Sequence, residues 1–107
     1  MPAPGRRAVV HLRGEINVRT AERTAWLLVE ALRTEPAVLE VDMAQVTHLS
    51  AAGTMAFFAA VKNARASGAR LIVTHARPHV RRVLYRLGLV RVLTVPGEDD
   101  SDPPTSQ

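Results

Sequence analysis

In this 107-residue chain, chemistry would be sought first at Val46-Thr47-His48-Leu49-Ser50-Ala51-Ala52-Gly53-Thr54. The stretch follows an apolar run, Val38–Asp42, that reads as a strand, and it leads into Met55–Ala66, which reads as a helix. A turn between a strand end and a helix N-terminus points backbone N–H groups outward. Such a place suits an anion, or a serine that is to carry a phosphate. Yet Ser50 is followed by Ala51 and Ala52, and a serine just before a helix more often serves as its N-cap.

Other residues capable of chemistry do not assemble into a recognisable set. Spacing alone does not show whether His48 or His75 reaches Ser50, so no nucleophile–base arrangement is legible. His75 and His79 are four apart, as helical metal ligands are, but Pro78 starts a helix between them and no third ligand follows. No metal site is expected. Neither standard glycine-rich phosphate loop occurs, and no cofactor is expected. Arg81, Arg82 and Arg86 could meet nucleic acid, but a solvated helix face is the commoner meaning of such a run.

Hydrophobic spacing supplies the elements that must position the central turn. Ala8–Arg13 alternates as a strand does, with Ala8, Val10 and Leu12 on one side. Thr20 is a plausible N-cap for a helix to about Arg33, with Ala21, Thr24, Leu28, Ala31, Leu32 and Glu35 inward and Trp26 and Glu30 outward. In Val38–Asp42, Leu39 and Val41 face inward. The helix after the turn buries Thr54, Phe57, Ala60, Val61 and Ala64 and stops at Ser67-Gly68. Ala69–Thr74 is a third strand, Pro78–Leu87 a helix burying Val80, Val83, Leu84 and Leu87, and Val92–Val95 a fourth strand.

Strand and helix alternate, which predicts an α/β fold: a single domain with a mainly parallel, four-stranded sheet. Alternating strands, where uniformly apolar ones would be buried on both faces, place the helices mostly on one face. On the other, Arg13, Glu40 and Arg70 are expected to pair across strands. The domain is expected to span 8–95, after a disordered lead at 1–7 and before a disordered acidic tail at 96–107. Loops 14–18, 43–52 and 75–78 then share the carboxyl end of the sheet, where ligands and partners bind in such folds.

Composition narrows the function classes. Apolar content of 47% supports a folded core, and no run is long enough to cross a membrane. There is no cysteine and no signal core, so a cytoplasmic location without membrane insertion is expected. The net charge of +4 divides into a body of +8, with 14 basic and six acidic residues before Pro96, and a tail of −4 from Glu98, Asp99, Asp100 and Asp102.

Three segments, in order and at the right spacing, carry a resemblance. Gly14-Glu15-Ile16-Asn17 with Thr20-Ala21 resembles the opening of the STAS domain of anti-sigma factor antagonists. Leu39-Glu40-Val41-Asp42 with Val46 to Gly53 is similar to that family's central strand and signature turn. Val80-Arg81-Arg82-Val83-Leu84, Leu87-Gly88-Leu89 and Val92-Leu93 resemble its third helix and last strand. The family's turn usually reads Asp-Ser-Ser/Thr-Gly, its first serine being phosphorylated by an anti-sigma factor that is also a kinase. Here Ser50 stands at the Asp position, Ala51 at the phosphoacceptor, Ala52 next, and only Gly53 is kept. Asn17 stands where the family often has Asp.

The resemblance implies a protein that works by binding and not by catalysis: it would sequester an anti-sigma factor with a kinase-like ATPase domain, without the usual switch. The expected contact surface is Asn17, His48, Ser50, Ala51, Ala52, Gly53, Thr54 and Met55; Ser50, Thr47 and Thr54 remain possible phosphate acceptors, Ser50 first among them. The alternatives are an accessory subunit of a transport or signalling assembly, and a small-ligand module. Homo-oligomerisation stays open.

Overall fold

Five apolar residues, Leu39, Val41, Met43, Val46 and Leu49, form the inner seam of the molecule, each no more than 6% exposed. They belong to one central strand, and the computed structural model, which describes residues 3–88, is organised around it. The elements run β1 (Ala3–Ile16), α1 (Ala21–Leu32), β2 (Pro36–Leu49), a 3-10 turn (Ala52–Thr54), α2 (Met55–Ser67), β3 (Arg70–Thr74) and α3 (Pro78–Arg86). The described sheet has the order β1-β2-β3, and both pairings are parallel. Successive strands therefore advance in one direction, and two crossovers of the same hand put α1 and α2 on one face, where they pack together.

The core lies between that face and the helices. Thr24, Leu28 and Leu32 of α1 are buried, as are Phe57, Ala60, Val61 and Ala64 of α2, at helical spacing. From α3, Val80 and Leu84 join the same cluster. Gly68, at φ 80, caps α2 in the left-handed region, with its N–H donating to Arg65 O and the Ala69 N–H to Ala64 O.

Several expectations are corrected. β1 begins at Ala3, so residues 3–7 are strand and not a disordered lead; Arg7 lies opposite Val38. β2 continues through residues 43–49, expected as loop, and stays paired with β1 by taking up one extra residue opposite His11–Arg13 and another opposite Gly14–Glu15. Glu35 lies beyond α1 at φ 55, and Leu87 is 39% exposed. Three strands are described where four were expected; residues 92–95, like the tail at 96–107, lie outside the described residues.

The second face of the sheet carries two polar ladders. Arg7 Nε donates to Glu40 Oε1 at 3.2 Å, and Thr74 Oγ1 donates to Glu40 Oε2 at 2.7 Å. Beside them, Asp42 meets His11 Nδ1 at 3.0 Å and His75 Nδ1 at 3.2 Å. The first ties all three strands together, and the second joins β1 and β2 to His75, the residue just after β3. Arg7, and neither Arg13 nor Arg70, is the arginine that reaches Glu40, because the register sets Val9 and Ile72 directly opposite it.

Candidate functional site

The turn after β2 is fixed by contacts with the end of β1. The Ser50 N–H donates to Ile16 O at 3.0 Å, carrying the ladder one step past the strand ends. The chain then closes into the 3-10 turn, and Gly53 passes so near β1 that a Cβ there would lie 2.2 Å from Ile16 O and 2.9 Å from Asn17 N. Gly53 is needed for closeness: any side chain would have to displace backbone.

Ser50 is used within the turn. Its Oγ accepts the Gly53 N–H at 3.0 Å, which is the bond an N-cap serine makes to the third residue after it. No side chain among the described residues hydrogen-bonds this hydroxyl, so none of them is poised on it as a general base. Thr54 Oγ1 donates to Ala51 O at 2.6 Å and is only 1% exposed.

Asn17 organises the facing loop. Its Oδ1 accepts from the N–H groups of Arg19 at 2.9 Å and Thr20 at 3.2 Å, and its Nδ2 donates to Glu15 Oε1. Thr20, expected to cap α1, makes no side-chain cap; its Oγ1 donates to Glu15 O and accepts the Asn17 N–H. The loop holds Val18 outward at 74% exposure, one residue after Asn17, whose backbone N faces Gly53.

The eight residues expected to form a surface therefore divide. Ser50, Ala51, Ala52, Met55 and His48 are exposed, Met55 by 64%, and Asn17 is half-buried. Gly53 and Thr54 are buried and shape the turn without reaching its surface, since one touches β1 and the other turns back to Ala51 O. Val18 was missed: it falls in no periodic segment, so only its exposure, one place from Asn17, marks it.

The histidines divide between two places. His79 Nε2 lies 2.6 Å from Thr47 O and donates to it, and its ring meets that of His48 edge-on at 5.9 Å between centroids. His48 Nδ1 is also 4.0 Å from Glu15. His75 turns to the open face and Asp42. His75 and His79, despite their spacing, thus have separate partners. The Ala44 N–H, above all, holds the Asp42 carboxyl below its ordinary value; burial opposes this, and His75 and His11 reinforce it. The His11–Asp42 pairing was missed because it depends on strand register, which alternation does not specify.

The arrangement presents a small apolar platform, with neither a nucleophile-and-base pair nor, among the described residues, a cluster of three metal-ligating side chains. No described helix is long and apolar enough to cross a membrane.

Comparison with known proteins agrees with this geometry. No curated protein matches the chain. Among solved structures, the fold is similar to that of the unphosphorylated anti-sigma factor antagonist SpoIIAA, with TM-score 0.69 and 17% identity over 94% of this chain and 89% of that one. An anti-sigma factor antagonist from Mycobacterium paratuberculosis is similar at TM-score 0.70 and 22% identity, covering 94% and 95%. A sulfate transporter family protein from Wolinella succinogenes is similar at TM-score 0.71 and 20% identity, covering 92% and 77%. At these identities the likeness is one of fold. The family model described as "Mlab, STAS domain" matches residues 2–95, and the chain belongs to the STAS-domain family.

Proposed function

We propose that this STAS domain is a bacterial regulatory binding protein that docks on an anti-sigma factor with a kinase-like ATPase domain, through the turn 50–52, Met55 and Val18. The observation that carries the reading is the contrast at the turn. Its backbone is locked against β1, while its exposed side chains are small or apolar and include no hydroxyl at Ala51. Alanines let a partner's backbone approach closely, and Met55 supplies an adaptable apolar contact. A phosphate in this place would bring about two negative charges into a desolvated contact. Without an acceptor at 51, the contact is not ended that way, and the protein acts as a standing, cytoplasmic antagonist in transcription regulation, with no catalytic role.

A second reading has its own support. Two of the similar solved structures are a sulfate transporter family protein and a SulP transporter STAS domain. An unswitched turn also suits a permanent accessory subunit of a transport assembly.

Affinity capture of the full chain from native extract separates the two. A histidine-kinase-like ATPase as the main partner supports the first, and membrane-transport subunits support the second. Phosphopeptide mass spectrometry after co-expression with the kinase partner should find no stoichiometric phosphate in 46–55. Full phosphorylation of Ser50 would overturn the unswitched reading.

A further inference from the structure

β1 is the first strand of the described sheet, and no strand among the described residues covers its outer edge. Along that edge runs a cleft of about 330 Å³. It is lined from both faces of β1, by Leu12 and Ile16 of the inner face and His11 and Arg13 of the outer, and by Arg23 and Leu27 of α1. Residues from both faces can line one cleft only where it follows the edge itself. Unpaired backbone N–H and C=O groups are therefore part of its wall.

Its chemistry is that of a groove for an anionic chain. Arg13 and Arg23 are exposed and pair with no carboxylate among the described residues. Glu15 also lines the cleft, but it is drawn toward Asn17 and His48. His11 is held by Asp42. Leu27, 36% exposed, forms an apolar lip over the buried Leu12 and Ile16. The irregularity between Ala3 and Arg7, where β1 carries two residues more than β2, bends this edge, which disfavours long, flat pairing with a second copy and leaves room for a short segment. A larger cleft, about 780 Å³, lies at the other ends of α1 and α2. Its Arg33 and Arg65 stand where helix-terminal carbonyls attract cations, so it has an internal explanation.

We infer that the outer edge of β1 accepts a short extended segment of a partner protein, in which carboxylates alternate with apolar side chains. The segment's backbone pairs with the free edge, its carboxylates, all on the outer face, meet Arg13, and its apolar side chains, on the helix face, rest on Leu27. This surface is separate from the turn at 50–55 and does not depend on the reading of that turn.

Fluorescence anisotropy with the full chain and a labelled Glu-Val-Asp-Val-Glu-Val peptide tests the inference. Binding should weaken at least about threefold in the R13Q variant, and similarly for the Gln-Val-Asn-Val-Gln-Val control, with a smaller change in R23Q on the helix face. A peptide N-methylated at alternate residues should fail to bind, because strand addition needs its N–H groups. Amide exchange should slow at residues 11–16 on binding. The inference is overturned by no binding at about 1 mM peptide, by equal binding of the neutral or N-methylated peptide, or by indifference to R13Q. It is also overturned if protection falls on 50–55, or if sedimentation shows that the protected edge is occupied by a second copy.

Discussion

The two sides of β2 present opposite kinds of surface. At its carboxyl end the chain enters a turn held by backbone, through Ser50 N–H to Ile16 O and the close passage of Gly53, and its exposed side chains carry no charge from 50 to 55. On the open face of the same strand, Glu40 and Asp42 are held by side chains, one by Arg7 and Thr74 and the other by His11 and His75. Backbone locking frees the side chains of the turn for an external contact. Side-chain locking on the open face consumes its polar groups internally. Geometry at the turn should therefore be sensitive to added volume and indifferent to pH, and the open face the reverse.

The largest effect that would break this contrast is expected at Gly53. Gly53→Ala places a Cβ 2.2 Å from Ile16 O, and because both neighbours are backbone the turn must shift. Urea denaturation should show a loss of about 3 kcal/mol. A loss below about 0.5 kcal/mol would mean that the turn is not pressed on β1.

Met55→Asp tests the surface and not the scaffold. Met55 is 64% exposed, so the variant should keep its circular dichroism and melting behaviour while partner affinity falls by more than about tenfold, or ~1.4 kcal/mol. Phe57→Asp, in a fully buried position, is the paired control and should unfold the domain. Undiminished binding by folded Met55→Asp would move the interface elsewhere, with the exposed Trp26 the next residue to test.

Ser50→Ala sharpens the comparison at a lower level. It removes the acceptor of the Gly53 N–H and should cost about 1 kcal/mol, measured by thermal melting, with partner binding kept.

The smallest effect near neutral pH is expected from Asp42→Asn, and its signature is acid dependence. Asp42 titrates below its ordinary value of 3.8 in the folded chain, so its ionised form favours folding. That contribution is complete above the unfolded value and is lost as pH falls through the lower, folded one. Parent and Asp42→Asn stabilities, followed by urea melts from about pH 6 to about pH 2, should converge on the acid side. A gap that stays constant would show that the charge of Asp42 has no part in holding the open face.

Local pattern alone was enough for much of this molecule. The alternation in Ala8–Arg13, Leu39–Asp42 and Leu71–Thr74, the Thr54/Phe57/Val61 stripe and the Ser67-Gly68 stop each state a preference that burial then satisfies, since period and capping are properties of consecutive residues. The absence of a hydroxyl at Ala51 and the keeping of Gly53 were equally plain. What the strands do beyond those windows depended on partners distant in sequence. Ala3–Arg7 became strand by pairing with β2, and Met43, Val46 and Leu49 all face inward because β2 takes up an extra residue at two places along β1. Which arginine meets Glu40, and that His11 and His75 share Asp42, were decided by register, which period two leaves open. That Gly53 and Thr54 face inward while Val18 and Met55 face out follows from where two chain segments, more than thirty residues apart, come into contact. No local rule carries that information, because the space around a residue is set by what folds against it.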